Sequence, residues 1–119
     1  MPTFAAIIYE RPDVRSDPSS PEGQEYMGGY FKFGELAGQA ITGGAGLLGP
    51  ETATTIHVVG GEDGEVVHAD GPYAETKEFL GGFYLIDAED LDAAIALARH
   101  IPAAWRDGGK VEIRPVIPM

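Results

Sequence analysis

The chain has 119 residues and a formal net charge of -11, with nineteen acidic side chains against eight basic ones. That length supports one hydrophobic core and not two, and 44% hydrophobic against 23% charged residues is the composition of a folded chain rather than a disordered one. The charge opposes direct binding to nucleic acid, which needs clustered Lys and Arg, and the lack of cysteine excludes disulfides, thiolate nucleophiles and thiolate metal sites.

Residues 3–10 mix apolar and β-branched types and stop at Glu10-Arg11-Pro12-Asp13, as expected of a first strand buried on both faces. The opening has no basic region, and its apolar run is too short for a signal peptide or a membrane span, so a cytoplasmic protein is expected. A Pro-, Ser- and Asp-rich loop leads to Ser20 and Pro21, an N-cap and first helical position, with Glu22 and Glu25 near the positive end of the helix. Tyr26, Tyr30, Phe33, Ala37 and Ala40 then follow at helical spacing and share one face. Gly28, Gly29 and Gly34 interrupt this helix, and each interior glycine costs about 1 kcal/mol relative to alanine. Packing must therefore hold it together.

The Gly-, Ala- and Leu-rich stretch from Ile41 to Pro50 reads as a short strand with close backbone approach. A clearer strand, 54–59, turns at Gly60-Gly61-Glu62-Asp63-Gly64 and pairs back through 65–69 as a hairpin. After the charged loop from Asp70 to Glu78, residues 80–86 form a central strand. Asp87 or Asp90 caps a second helix with Leu91, Ala94, Ile95, Ala98 and Ile101 on its apolar face, and Pro102 limits it. Val111 to Val116 is the last strand. The order β, α, β, inserted hairpin, β, α, β fits a single α+β domain over 1–119, ferredoxin-like (split βαβ) with an inserted β-hairpin. Two helices cover one sheet face, so a homodimer is expected to cover the other.

The run Asp70-Gly71-Pro72-Tyr73-Ala74-Glu75-Thr76-Lys77-Glu78, followed by Phe79-Leu80-Gly81-Gly82-Phe83-Tyr84-Leu85-Ile86, packs five ionisable side chains beside a Gly-Pro corner and an apolar strand. With Ile101-Pro102-Ala103-Ala104 and Val111-Glu112-Ile113-Arg114-Pro115-Val116, it closely resembles the DGPF branch of the YCII-related family. Tyr73 stands where the family's motif usually has Phe. The resemblance implies a dimeric α/β-barrel type of ferredoxin-like fold, a His and an Asp as a catalytic pair in the wider family and, for some relatives, lyase chemistry on small chlorinated aromatic compounds. Asp70 matches the motif's Asp, while the helical segment where many relatives carry a His reads Gly28-Gly29-Tyr30. The family also includes domains fused to, or encoded beside, sigma factors.

Each candidate residue has two readings. Asp70 ends a strand, and its carboxylate is either a general base at the sheet edge or a group that fixes the Gly71-Pro72 turn. His68, two residues earlier, points to the same face and either pairs with Asp70 in place of the helical His or is a half-exposed hairpin residue. Glu75 and Lys77 either contact a polar ligand or pin the loop by ion pairing. Tyr73 is a ligand wall or a loop anchor. His57 and His100 read as surface residues, and the three histidines lack metal-ligand spacing, so neither a metal nor another cofactor is expected. Trp105 reads as a core or dimer contact. The expected function is binding of a small organic molecule near the 70–78 loop, with lyase or isomerase chemistry, Asp70 as base and His68 or Lys77 assisting. A non-catalytic regulatory module that binds a protein, linked to sigma-factor signalling, is the alternative.

Overall fold

Alternation along the first strand sets the orientation of the whole sheet in the computed structural model, which describes residues 1–11, 19–73 and 77–118. In β1 (Thr3–Glu10), Phe4, Ala6, Ile8 and Glu10 are buried, and the residues between them are only half-buried. The expectation of a strand covered on both faces is met on one face. The helices all pack on the even-numbered side, where Ala6 and Ile8 join Phe33, Ala37, Ile86, Ala98, Ile101 and Ala103 in the core.

α1 (Pro21–Ala37) starts at the expected cap, with Ser20 Oγ accepting the Gly23 N–H at 3.0 Å. It buries Tyr26, Phe33 and Ala37, the face read from the spacing. A 3₁₀ turn at Gly38–Ala40 leads into β2 (Ile41–Gly46). β3 (Thr54–Val59) and β4 (Glu65–Asp70) pair antiparallel as a hairpin with its own small sheet. β5 (Phe79–Asp87) is central, as expected, and lies between β2 and β1. Of the two possible caps, Asp90 is the one used: its carboxylate accepts the Ala93 N–H at 2.8 Å and opens α2 (Leu91–Ala98).

α2 ends at Ala98, so Ile101 lies beyond the helix on which it was expected and Pro102 does not limit it. Pro102 is instead the first residue of α3 (Pro102–Trp105), a short additional helix whose Pro102 and Ala103 are buried. The Pro102 ring packs against α1 at Gly29, where an added Cβ would lie 2.7 Å from Pro102 Cγ. This close approach explains one of the three helical glycines. Trp105 is 63% exposed and is not a core residue of the single chain.

β6 (Gly109–Pro115) completes a four-stranded sheet of order β2-β5-β1-β6, antiparallel at every junction. β1 and β2 therefore run the same way, with β5 inserted between them. The sheet does not close into a barrel; β2 and β6 are its edges. Its uncovered face carries Ala5, Ile7 and Tyr9 of β1, with Phe83 and Leu85 beside them on β5.

Candidate functional site

Where α1 crosses the end of the sheet, the strands beneath it lose their side chains. Ile8 on β1 faces Gly82 on β5, and Gly82 faces Gly46 on β2, so this cross-strand row ends in two glycines. The β1–β5 register shifts between Ile8 and Tyr9, leaving Gly81 as the extra residue of a bulge. Gly82 also has a φ of 157°, and a Cβ there would lie 2.7 Å from the Ala45 carbonyl oxygen. Close backbone approach makes glycine necessary at that point of the floor. The space left between this floor and the first half of α1 is a cavity of about 400 Å³, walled by Ile8, Tyr26, Met27, Tyr30 and Tyr84.

One carboxylate enters this mostly apolar space. Glu10 lines the cavity and is only 2% exposed. Tyr26 donates its hydroxyl hydrogen to Glu10 Oε2, and the Tyr26 and Tyr30 oxygens lie 3.1 Å apart. The two rings meet edge to face, with centroids 5.2 Å apart and planes at 76°. The Arg106 guanidinium carbon sits 4.9 Å from the centre of the Tyr26 ring, a cation–π contact that holds the residue after α3 against α1.

Burial dominates the acid–base behaviour of the phenols. It raises the Tyr26 hydroxyl far above the ordinary tyrosine value, and the hydrogen bonds to Glu10 and Tyr30 push it the same way. Burial also pushes Tyr30 up to about 12, against the opposing effect of its bond with Tyr26. Tyr84 is raised by burial as well. All three walls are therefore neutral phenols near neutral pH. Among the described residues, no three His, Asp or Glu side chains gather as a metal ion would require.

The residues singled out from the sequence lie elsewhere. Asp70 is the last residue of β4 and pairs with Thr54, and His68 pairs with Ile56. Both are exposed and share a strand face. The turn after Asp70 is held by the Gly71 N–H, which donates to the Ala53 carbonyl at 2.6 Å, and by Thr55 Oγ1, which donates to the Gly71 carbonyl at 2.9 Å. Tyr73 is 90% exposed and Lys77 is also exposed. Glu75 lies outside the described residues. None of Asp70, His68, Tyr73 or Lys77 lines the cavity under α1. The neighbouring Glu78 pairs with Lys110 at 3.3 Å.

From the sequence alone, Glu10 is the residue at which the first strand stops. Its signal was its phase: Phe4, Ala6, Ile8 and Glu10 occupy alternate positions, which places a carboxylate on the apolar side of β1. Tyr26 and Tyr30 stood out as members of an apolar helix face. Their hydroxyls, four residues apart, are the polar part of that face and meet at 3.1 Å.

Among the described residues, no helix is long and apolar enough to cross a membrane. An uncharacterized protein of Rhizobium meliloti (strain 1021) is 43% identical to this chain over 120 aligned residues, covering 95% of this chain and 90% of its own length. The model of the YCII-related domain matches residues 3–119. By both measures, the chain belongs to the YCII-related family.

Proposed function

We propose that this protein, a single YCII-related domain of the DGPF type with a ferredoxin-like fold, binds a small organic molecule in the cavity between α1 and the glycine floor of the sheet. The observation that carries this reading is Glu10, a carboxylate held out of water in an otherwise apolar space and hydrogen-bonded to a phenol. Pockets that hold small molecules combine apolar walls with a few converging polar groups. The reaction class this arrangement supports is cofactor-free proton transfer, a lyase or isomerase step, with Glu10 accepting the proton and Tyr26 and Tyr30 orienting the carboxylate. The strand order β2-β5-β1-β6 supports the split βαβ reading, and the open sheet face supports a homodimer that buries it, in a protein we place in the cytoplasm.

The hairpin supports a second location for the chemistry. An isolated two-stranded hairpin is marginal in water, yet β3 and β4 expose Ile56, Val66 and Val67 by about half or more. Cover from a partner subunit would place Asp70 and His68 at a site completed by both chains, with Asp70 as base and His68 or Lys77 assisting. Cover from a different protein is the partner-module reading, with sigma-factor signalling as its setting.

Two variants separate these locations. Nothing lies within 4 Å of a Cβ added to Gly46, so Gly46→Val fits the strand and projects into the cavity. A ligand-observed NMR screen of small acids, phenols and amines should give hits that Gly46→Val loses and Asp70→Asn keeps. Hits lost only in Asp70→Asn would move the site to the hairpin. A screen whose few hits ignore both variants would leave the protein-interaction role.

A further inference from the structure

The protein itself uses the polar groups that α1 and β1 bring to the cavity. The Ala103 backbone N–H donates to the Tyr30 oxygen, the Tyr30 and Tyr26 oxygens lie 3.1 Å apart, and Tyr26 donates its one hydrogen to Glu10. Glu10 has a further interaction besides that bond, and the Tyr26 ring holds Arg106. An ion entering the cavity would give up its water without a free opposite charge to replace it. Tyr84, on the sheet side of the cavity, differs from these groups. Its ring is fixed edge to face against Phe33, with centroids 5.0 Å apart and planes at 63°, yet its hydroxyl forms no hydrogen bond among the described residues. No fully buried side-chain oxygen among those residues lacks a partner, so the Tyr84 oxygen is one that a small molecule can reach. It also lies near enough to Tyr30 to raise that phenol electrostatically, which places it toward the wall formed by α1.

We infer that the cavity takes an uncharged carbonyl compound, a ketone or an ester on a small apolar body, whose oxygen accepts the Tyr84 hydrogen. The inference rests on the cavity being the binding site and names the class of its ligand. Burial raises the Tyr84 hydroxyl above the ordinary tyrosine value, so at neutral pH it keeps its hydrogen and can donate it. A carbonyl oxygen takes that hydrogen and brings none of its own that would need an acceptor. Ile8, Met27 and the glycine floor supply the apolar surface for the rest of the molecule. A space of about 400 Å³ with apolar walls and one placed donor has the composition of a small-molecule site. Tyr84 is then the residue that sets specificity, and its contact with Phe33 holds the ring in place. A hydrocarbon of the same shape fills the cavity but leaves the hydroxyl without an acceptor, which is the difference a measurement can read.

Probes that share one ring and differ in one substituent test the inference: acetophenone, ethylbenzene, benzoate and benzylammonium. Ligand-observed NMR titrations of the intact protein at neutral pH should show acetophenone binding about fivefold more tightly than ethylbenzene, and both ions binding more weakly than either. Tyr84→Phe keeps the ring against Phe33; it should bring acetophenone down to the level of ethylbenzene and leave ethylbenzene unchanged. The infrared carbonyl band of bound acetophenone should lie at lower frequency than that of the free ketone, and Tyr84→Phe should remove this shift. Gly46→Val should abolish the binding of both uncharged probes. Acetophenone binding no better than ethylbenzene, or equally well in Tyr84→Phe, would overturn the carbonyl assignment, and loss of both in Gly46→Val would still leave the cavity standing as a site. Tighter binding of benzoate or benzylammonium, lost in Gly46→Val, would overturn the preference for an uncharged ligand. Binding of every probe unchanged in Gly46→Val, or binding of none, would overturn both the ligand class and the cavity reading.

Discussion

Burial raises the Tyr30 hydroxyl to about 12, and raises Tyr26 as well, whereas in the unfolded chain both titrate near the ordinary value of 10.0. Between those limits the unfolded chain holds fewer protons than the folded one, so stability falls as the pH rises. The contribution of these phenols is fully present below about pH 10 and declines from there toward about pH 12. Urea midpoints should be unaffected by these phenols below about pH 10 and should drop from there toward about pH 12. A Tyr26→Phe, Tyr30→Phe double variant should make the alkaline decline shallower, because it removes two of the three phenols that burial raises and leaves Tyr84. At neutral pH the same variant loses the phenol donor to Glu10, and a hydrogen bond to a buried charged group contributes roughly 1.5–3 kcal/mol.

The interior glycines of α1 differ in what surrounds them, and their substitution should split accordingly. Nothing lies within 4 Å of a Cβ at Gly34, which is exposed, so Gly34→Ala should stabilise the protein by up to about 1 kcal/mol through helix propensity. At Gly29 an added methyl meets the Pro102 ring at 2.7 Å, and overpacking at such a contact costs about 1–3 kcal/mol. Gly29→Ala should therefore lower the urea midpoint while Gly34→Ala raises it. Local signals made much of this architecture readable in advance. Ser20, Pro21 and Asp90 carry their capping chemistry in their own side chains, and the spacing from Tyr26 to Ala37 defines a helix face without reference to other elements. α3 was not readable, because a proline that stops one helix and a proline that starts another look the same from the sequence. The cavity was hidden for a different reason. It exists because Gly46 faces Gly82, which faces Ile8, and that register joins residues far apart in the chain. The charged 70–78 loop drew attention through its composition, whereas Glu10 sits at the end of an ordinary strand and gains its character only when α1 covers it.

On the scale of the whole molecule, the sheet has one face under the helices and one open, with Ile7 of β1 next to Phe83 and Glu112 on the neighbouring strands of the open face. Burying that face in the proposed homodimer predicts a sedimentation mass of twice the 12.6 kDa of one chain. Ile7→Glu, at a position only half-buried in the single chain, should shift the mass to one chain while leaving the far-UV circular dichroism in place. A mass of one chain for the unmodified protein at high concentration would remove the dimer. The strand order has a further consequence, in time rather than in space. β1 is made first, but its two neighbours are β5 and β6, and Phe4 faces both Ile86 and Pro115. The Val116 N–H then donates to the Thr3 carbonyl at 2.9 Å, which ties the end of the last strand to the start of the first. During synthesis, this strand, with Phe4, Ala6 and Ile8 in the core, must wait with both edges unpaired until β5 and β6 have left the ribosome. Folding dominated by such distant pairings is slow, and the waiting strand is the segment most exposed to mispairing or to capture by a chaperone.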